Sequence, residues 1–311
     1  GVSELLTRGK VRFHERKGRV RAMRSVDKLG ARQTYSLEIF PPKGEMPLED
    51  AYEISGKMAT TSPDWISVTY SAGGSGNNLN TARIAASIEN DFSTTALAHL
   101  TCIGAAKADV DAYVDELVRE GIQNVLALRG DRRPGVGAVD FEHASDLITH
   151  LLESGRDLCI GAACYPEGHY ESESLESSKK ALYHKQESAA DFLDSQHLFY
   201  DEDFYRFREL CLRHRIKLPI VAGIMPFTSI KQIQRMAFNC GASIPAKVVK
   251  RLVRAGDDPA DQARAGVEYA CEQLVDLAVN GVDGIHVYSM NHPEIALAAR
   301  DALVGCGYLG A

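Results

Sequence analysis

The sequence has 311 residues, 45% of them apolar and 25% charged, with a net charge of −7 at pH 7. This composition is typical of a globular protein and excludes wholesale disorder, and no run approaches the roughly 18 apolar residues that a membrane span needs. The seven cysteines are scattered without a CxxC pair, which argues against a zinc ribbon and against a disulfide framework.

The chain begins with a basic segment. Residues 8–28 carry nine Lys and Arg against Glu15 and Asp27, a net charge of +7, so the rest of the chain carries −14. Charges stand where a signal peptide would need its apolar run, and we therefore expect a cytoplasmic protein. We interpret residues 1–33 as a basic helical extension on an acidic body. A nucleic-acid-binding arm is the alternative, but an acidic body would repel a phosphate backbone.

From residue 34, short β-branched runs alternate with longer segments of helical periodicity, which is typical of βαβ units. The segment 229–281 is too long for one crossover and predicts an extra helix or two before strand 8. The sequence thus predicts an α/β fold, a single (β/α)8 TIM-type barrel over residues 34–311. Its eight predicted strands are 34–40, 65–70, 95–101, 124–128, 158–164, 191–198, 219–224 and 283–288.

Polar side chains cluster at the carboxyl ends of these strands, where a barrel builds its functional site. Glu38 lies in an otherwise apolar strand that stops at residues 40–42, Phe-Pro-Pro. Burial disfavours an ionised carboxylate, so Glu38 is either a protonated general acid or a structural group paired with a neighbour. Arg129 and Asp131 flank Gly130 after strand 4 and need each other or a polar ligand. Other strand ends carry Tyr70, His99, Tyr165, His169 and Gln196.

Taken in order, eight segments resemble the motif set of the methylenetetrahydrofolate reductase family from about residue 34 to 303. They are LEIFPPKG, SVTYSAGG, AHLTC, ALRGD, ACYPEGH, SQHLFYD, AGIMP and GVDGIHVYSMN. The resemblance implies a (β/α)8 barrel with FAD at its C-terminal rim. It also implies that NADH or NADPH reduces FAD, which then reduces 5,10-methylenetetrahydrofolate to 5-methyltetrahydrofolate, in one-carbon metabolism and methionine biosynthesis.

The resemblance implies roles for individual residues in folate chemistry. Glu38 matches the general acid that protonates N10 of the folate and opens its imidazolidine ring. Asp131 matches the acidic residue beside the flavin and the pterin. Gln196 matches a residue that hydrogen-bonds both folate and nicotinamide in one shared pocket. The further folate-contacting positions are Gln232 and His292.

The implied cofactor contacts lie on the same strand ends. Thr69 matches a nicotinamide contact, and Arg129 and Lys185 would bring positive charge to the pyrophosphate of FAD. The full set of implied FAD positions is Tyr70, His99, Arg129, Gly130, Asp131, Ala144, Tyr165, His169 and Lys185.

Several positions depart from the family pattern. Ser178, Ala181 and His184 stand where many members have Asp, Asn and Arg toward the cofactor, which predicts looser FAD binding. Met236 replaces an aromatic residue that stacks on the nicotinamide, and His292 replaces an Arg. A sulfur side chain still packs on a ring.

The resemblance also implies a folate substrate, no nucleic-acid or membrane partner and no metal. We expect a homo-oligomer, and an additional electron-transfer subunit stays open. Without the long C-terminal regulatory region of some relatives, control by a methyl donor is not expected. The alternatives are a flavin barrel of the proline dehydrogenase type, a flavin-independent methylenetetrahydrofolate reductase, and a nucleic-acid-binding module on a barrel scaffold.

Overall fold

The computed structural model describes residues 24–42, 47–70, 78–131, 134–169 and 175–310. Eight parallel strands form a closed barrel in chain order, and the last strand pairs with the first. The predicted barrel is therefore confirmed. The strands are β1 (Thr34–Ile39), β2 (Trp65–Val68), β3 (Ala96–Thr101), β4 (Asn124–Leu128), β5 (Cys159–Cys164), β6 (Phe192–Ser195), β7 (Ile220–Ile224) and β8 (Gly284–Tyr288).

The predicted strand 6 shows the largest difference, because it was expected to reach residue 198 and ends at Ser195. The Ser195 hydroxyl accepts a hydrogen bond from Gly223 N at 2.8 Å, in place of a backbone carbonyl, and donates to the Gln196 carbonyl. This side chain interrupts the regular β6–β7 ladder. Only an isolated bridge between Leu198 and Ile224 follows it in the described part of the chain.

Helices cover the outside of the barrel. Between β7 and β8 the chain forms three of them, which confirms the extra helices predicted before the last strand. No helix within the described ranges is both long enough and apolar enough to cross a membrane. The helices are α1 (Ser25–Ala31), α2 (Leu48–Ala59), α3 (Asn78–Asn90), α4 (Lys107–Arg119), α5 (Ala144–Glu153), α6 (Leu175–Glu187), α7 (Asp201–Arg213), α8 (Ile230–Cys240), α9 (Ala246–Ala255), α10 (Pro259–Val279) and α11 (Pro293–Gly305).

Helix α1 closes the N-terminal end of the barrel. Its Leu29 packs on a buried cluster that also contains Trp65, Leu97, Leu126, Cys159, Phe192 and Val221. Ser25 N donates to Asn124 Oδ1 at 2.9 Å, and this contact ties the helix to β4. Part of the predicted basic extension is thus built into the barrel. Residues 1–23 lie outside the described residues, and the boundary at residue 33 stays a prediction.

Close packing inside the barrel leaves no room for a side chain at residue 161 on β5. A Cβ atom added at Gly161 would lie 2.4 Å from Phe192 Cζ, and the Phe192 ring is itself fully buried. The ring contacts Trp65, at 6.1 Å between centroids, and so has little freedom to move away.

We expect Gly161→Ala to lower the free energy of unfolding by about 1–3 kcal/mol through overpacking. Gly305→Ala is the matched control, because no atom lies within 4 Å of the added Cβ in α11. The control should not lower stability, since Ala is the better helix former. Urea unfolding of the two variants makes the comparison, and equal midpoints for Gly161→Ala and the parent would contradict the packing argument.

Candidate active site

The polar strand ends converge on a cavity of about 1300 Å³ at the C-terminal mouth of the barrel. Parallel strands place all their carboxyl ends at one end of a barrel, so residues distant in sequence meet there. The lining includes twelve of the residues that the sequence singled out: Glu38, Thr69, Tyr70, His99, Arg129, Gly130, Asp131, Ala144, Tyr165, His169, Lys185 and Gln196.

Two predicted folate contacts, Gln232 and His292, are not among the residues that line the cavity. Gln232 Oε1 accepts hydrogen bonds from the amide and the hydroxyl of Thr228, at 2.6 and 3.0 Å, so this side chain holds the turn that precedes α8. His292 precedes α11, and its Nδ1 lies 2.9 Å from Glu294 Oε1. Their contacts with folate stay predictions. Met236, by contrast, lines the cavity.

Glu38 lies on the floor of the cavity, with only 15% of its side chain exposed. Its Oε2 is 3.6 Å from His99 Nε2 and 3.9 Å from His286 Nε2. His286 is fully buried, and its Nδ1 lies 2.8 Å from the Ser36 hydroxyl. Ser36 and Glu38 share one face of β1 because side chains alternate along a strand. One strand therefore provides both the carboxyl group and the hydroxyl that orients the imidazole.

Burial sets the charge of the histidines on this floor. It lowers the pKa of His99 to about 4 and that of His197 to about 4, so both rings are neutral at neutral pH. Burial alone would also lower the pKa of His286, but the negative charges of Asp194 and Glu38 outweigh it and the pKa is raised. Burial raises the pKa of Asp194 to about 6. His286 is therefore the imidazole of this group that favours the cationic form.

Sequence reasoning gave no individual role to His286 and Tyr288 on β8 or to Asp194 on β6. Alternation along the chain points to Asp194 alone, because it lies two residues before the recognised Gln196. Tyr288 donates a hydrogen bond from its hydroxyl to the Ser195 carbonyl at 2.8 Å. It lies over Gly223, where an added Cβ would be 2.7 Å from Tyr288 Cε2. The missing side chain on β7 is what lets the Tyr288 ring reach β6.

Cations and aromatic rings line the other end of the cavity. Lys185 Nζ donates to the Ala163 carbonyl at 2.7 Å and lies 5.8 Å from the centroid of the Tyr165 ring, which meets His169 edge-on. Burial lowers the pKa of Lys185 to about 8, so the amine is mostly charged at neutral pH. Arg129 Nε donates to the Gly130 carbonyl at 3.1 Å. Positive charge is thus concentrated at this end.

The backbone directly after Arg129 requires glycine. Gly130 has a φ of +88°, and a Cβ there would lie 2.9 Å from Ile103 Cγ2. Ser178, Ala181 and His184 line the same end, together with Lys180. No group of three or more His, Cys, Asp or Glu side chains that could hold a metal ion occurs among the residues described. The arrangement suits an elongated anionic ligand.

Comparisons with known proteins point to one family. A family model described as Methylenetetrahydrofolate reductase matches residues 23–303. The 5,10-methylenetetrahydrofolate reductase of Escherichia coli (strain K12) is 31% identical over 263 residues, which is 85% of this chain and 88% of that protein. Methylenetetrahydrofolate reductase 1 of Schizosaccharomyces pombe is 34% identical over 265 residues, 83% of this chain but only 44% of that protein. The chain spans less than half the length of the fungal relative.

Among solved structures, an uncharacterised protein from Clostridium thermocellum superposes with a TM-score of 0.61 at 16% identity. The match covers 89% of this chain and 99% of that one, which is described as binding two copies of 5-methyl-5,6,7,8-tetrahydrofolic acid. At this identity the similarity supports the fold alone.

The buried carboxyl group of Asp194 predicts a pH-dependent effect on stability. Its pKa is raised to about 6 by burial, above the value of an unfolded chain, so its stabilising contribution is present at low pH and is lost as pH rises through about 6. Relative to the parent, Asp194→Asn should therefore gain about 2 kcal/mol of unfolding free energy between about pH 4.5 and about pH 7.5. Urea unfolding at both pH values measures this, and a pH-independent difference would contradict it.

Proposed function

The chain belongs to the methylenetetrahydrofolate reductase family, and we propose that it reduces 5,10-methylenetetrahydrofolate to 5-methyltetrahydrofolate with NADH or NADPH as donor and FAD as bound cofactor. The observation that carries the proposal is the position of Glu38. It is a mostly buried carboxyl group on the floor of a large cavity, within 4 Å of two imidazoles. The same proposal includes a homo-oligomer, with or without a further electron-transfer subunit.

The cavity residues fit FAD. His99 Nε2 is buried without a hydrogen-bond partner among the described residues, so it is available to a polar atom of a ring system. Gly130 lines the cavity with its backbone, and its positive φ and the nearby Ile103 side chain disfavour any other residue there. Arg129 and Lys185 offer positive charge to phosphates, and Tyr165 and His169 offer ring surfaces. When bound, FAD would supply the hydride acceptor and donor that connects the two substrates.

Glu38 provides the proton in this scheme. Its O–H bond breaks as a bond to folate N10 forms, the N10–methylene bond opens, and the methylene carbon becomes an iminium carbon that accepts a hydride. The carboxylate left behind is 3.9 Å from His286 Nε2, and an imidazolium stabilises a negative charge at that distance. His99 is neutral and therefore does not compete as a proton donor.

Gln196 and Asp131 complete the proposed folate site. A Gln side chain both donates and accepts hydrogen bonds, so Gln196 suits two substrates that occupy one cavity in turn. Met236, Asn239 and Cys240 of α8 line the same cavity. Asp131 is exposed at the rim, where its carboxylate would meet the N–H groups of a pterin ring.

A flavin-independent reaction is the alternative within this family, and the departures at Ser178, Ala181 and His184 favour it. Retention of Arg129, Lys185 and Tyr165 in the same cavity favours FAD. The proline dehydrogenase and nucleic-acid interpretations leave the family match unexplained. Flavin absorbance in the purified protein would exclude the flavin-independent alternative, because bound oxidised flavin is yellow.

We expect Lys185→Met and Arg129→Ala each to weaken FAD binding about 10- to 100-fold, because each removes a charge-assisted contact of about 1.5–3 kcal/mol. Flavin fluorescence titration of the stripped protein measures the dissociation constants. Lys57→Met is the matched control, since this lysine pairs with Glu53 on the outer surface of α2. Undiminished affinity in both cavity variants would place the phosphates elsewhere.

Glu38→Gln should separate the two half-reactions. The amide keeps the shape of the acid but lacks a transferable proton, and general acid catalysis contributes about 10²–10⁴-fold. Stopped-flow absorbance should show flavin reduction by NADH within a few-fold of the parent. Reoxidation by methylenetetrahydrofolate should fall by at least about a hundredfold.

An artificial quinone provides the control for this variant, because its reduction needs no ring opening and should proceed normally. Folate reduction by Glu38→Gln within a few-fold of the parent rate would remove Glu38 from the mechanism. Equal losses with folate and with the quinone would indicate damage to the flavin site instead.

A further inference from the structure

Asp194 is a buried carboxyl group to which the proposed function gives no role. It lies on β6 with 5% of its surface exposed, and it lines the same cavity as Glu38. Its Oδ1 is buried and has no hydrogen-bond partner among the described residues. A carboxylate with an unpaired buried oxygen is unfavourable, and a neutral apolar residue would pack there without that penalty. The position therefore calls for a functional explanation.

The strand register brings Asp194 into the electrostatic range of β8. Asp194 pairs with Val221 of β7, and Gly223, two residues further along β7, pairs with His286 of β8. Gly223 places no side chain between the inward-facing groups of β6 and β8. Tyr288 occupies that space, with its ring 5.0 Å from the His286 ring and its hydroxyl on the Ser195 carbonyl. The interior groups of β6 and β8 thus face a common space.

The polar and titratable side chains that face His286 come from several strands. β1 contributes Glu38 and the Ser36 hydroxyl, β2 the Ser67 hydroxyl at 3.4 Å, and β8 the Tyr288 phenol. The imidazoles of β3 and of the loop after β6 are neutral at neutral pH, because burial lowers the pKa of each to about 4. The charges that act on His286 are therefore those of two carboxyl groups, and we call Glu38, Asp194 and His286 the floor cluster.

We propose that Asp194 is a positioning residue that acts through His286: its carboxylate balances the charge of the imidazolium, so that Glu38 does not have to balance it and can carry the proton that it transfers. In the state that precedes proton transfer, with Asp194 ionised, His286 cationic and the transferable proton on Glu38, the cluster carries no net charge. Without the charge of Asp194, the same two protons would leave an uncompensated buried cation. Glu38 and His286 would then share one proton.

This inference rests on the proposed function for its catalytic consequence. Each turnover takes up one proton from water, since a hydride and a proton are added to the folate. Glu38 transfers its proton to N10 and becomes a carboxylate, while the proton on His286 stays and balances the new charge. A proton from solvent then restores Glu38. If Glu38 and His286 share one proton, fewer molecules carry the transferable proton as pH rises.

The charge assignment can be tested without any substrate. In protein labelled with ¹³C at histidine Cε1, the His286 signal, assigned by its loss in His286→Gln, reports the imidazole charge. In a Glu38→Gln background, where Asp194 is the remaining carboxyl group, His286 should still be charged at about pH 7. Adding Asp194→Asn should lower its titration midpoint by at least about one unit. Adding Glu120→Gln instead, an exposed residue after α4, should leave the midpoint unchanged.

The catalytic consequence is tested in the folate half-reaction of Asp194→Asn alone. Its rate should fall at least about tenfold at about pH 8 and much less at about pH 6, while flavin reduction by NADH stays within a few-fold. Asp194→Leu, which also lacks the charge and suits an apolar interior, should give the same pH dependence and covers the case in which the Asn variant folds poorly.

An unchanged His286 midpoint in the double variant would overturn the charge assignment. A lowered midpoint together with the parent pH dependence of folate reduction would overturn the catalytic role of Asp194. If the parent protein itself does not reduce methylenetetrahydrofolate, the proposed function fails, and the His286 titration still decides whether Asp194 keeps His286 charged.

Discussion

Inside a closed parallel barrel, an ionised side chain has no water to solvate it, and another charge or a ligand must balance it. The lower half of this barrel meets the constraint with apolar side chains such as Trp65 and Phe192. The upper half instead holds ionisable groups, with two carboxyl groups and a buried imidazole on the cavity floor. Because burying these ionisable groups costs free energy, they mark the place where chemistry is expected.

The fold could be predicted because its signal is local. Each strand is a short β-branched run bounded by turn residues, and β4 has the bounds that the sequence indicated. The rim residues followed from the strand ends. Asp194 and His286 did not, because their proximity depends on the register of β7 and on the missing side chain of Gly223. Gln232 and His292 were expected at the substrate, but the side chain of each has a local partner that the motif match could not reveal.

The two ends of the cavity differ in how firmly the protein holds the side chains that line them. The floor is fixed by strands and by hydrogen bonds such as that of Ser36 to His286, so the proposed acid has a defined environment. The end that we propose for the phosphates of FAD is formed partly by α6, where Ser178 and His184 line the cavity at positions expected to hold stronger partners in the family. We propose that the groups for proton transfer are already ordered in this protein, whereas its affinity for FAD is low.

The most direct test of the account is product formation by protein depleted of flavin and then reconstituted. With NADH and 5,10-methylenetetrahydrofolate, mass spectrometry should detect one 5-methyltetrahydrofolate for each NADH oxidised by the reconstituted enzyme. The depleted protein should form almost none, and added FAD should restore the rate. Full activity without flavin, or NADH oxidation without a methylated folate, would contradict the account.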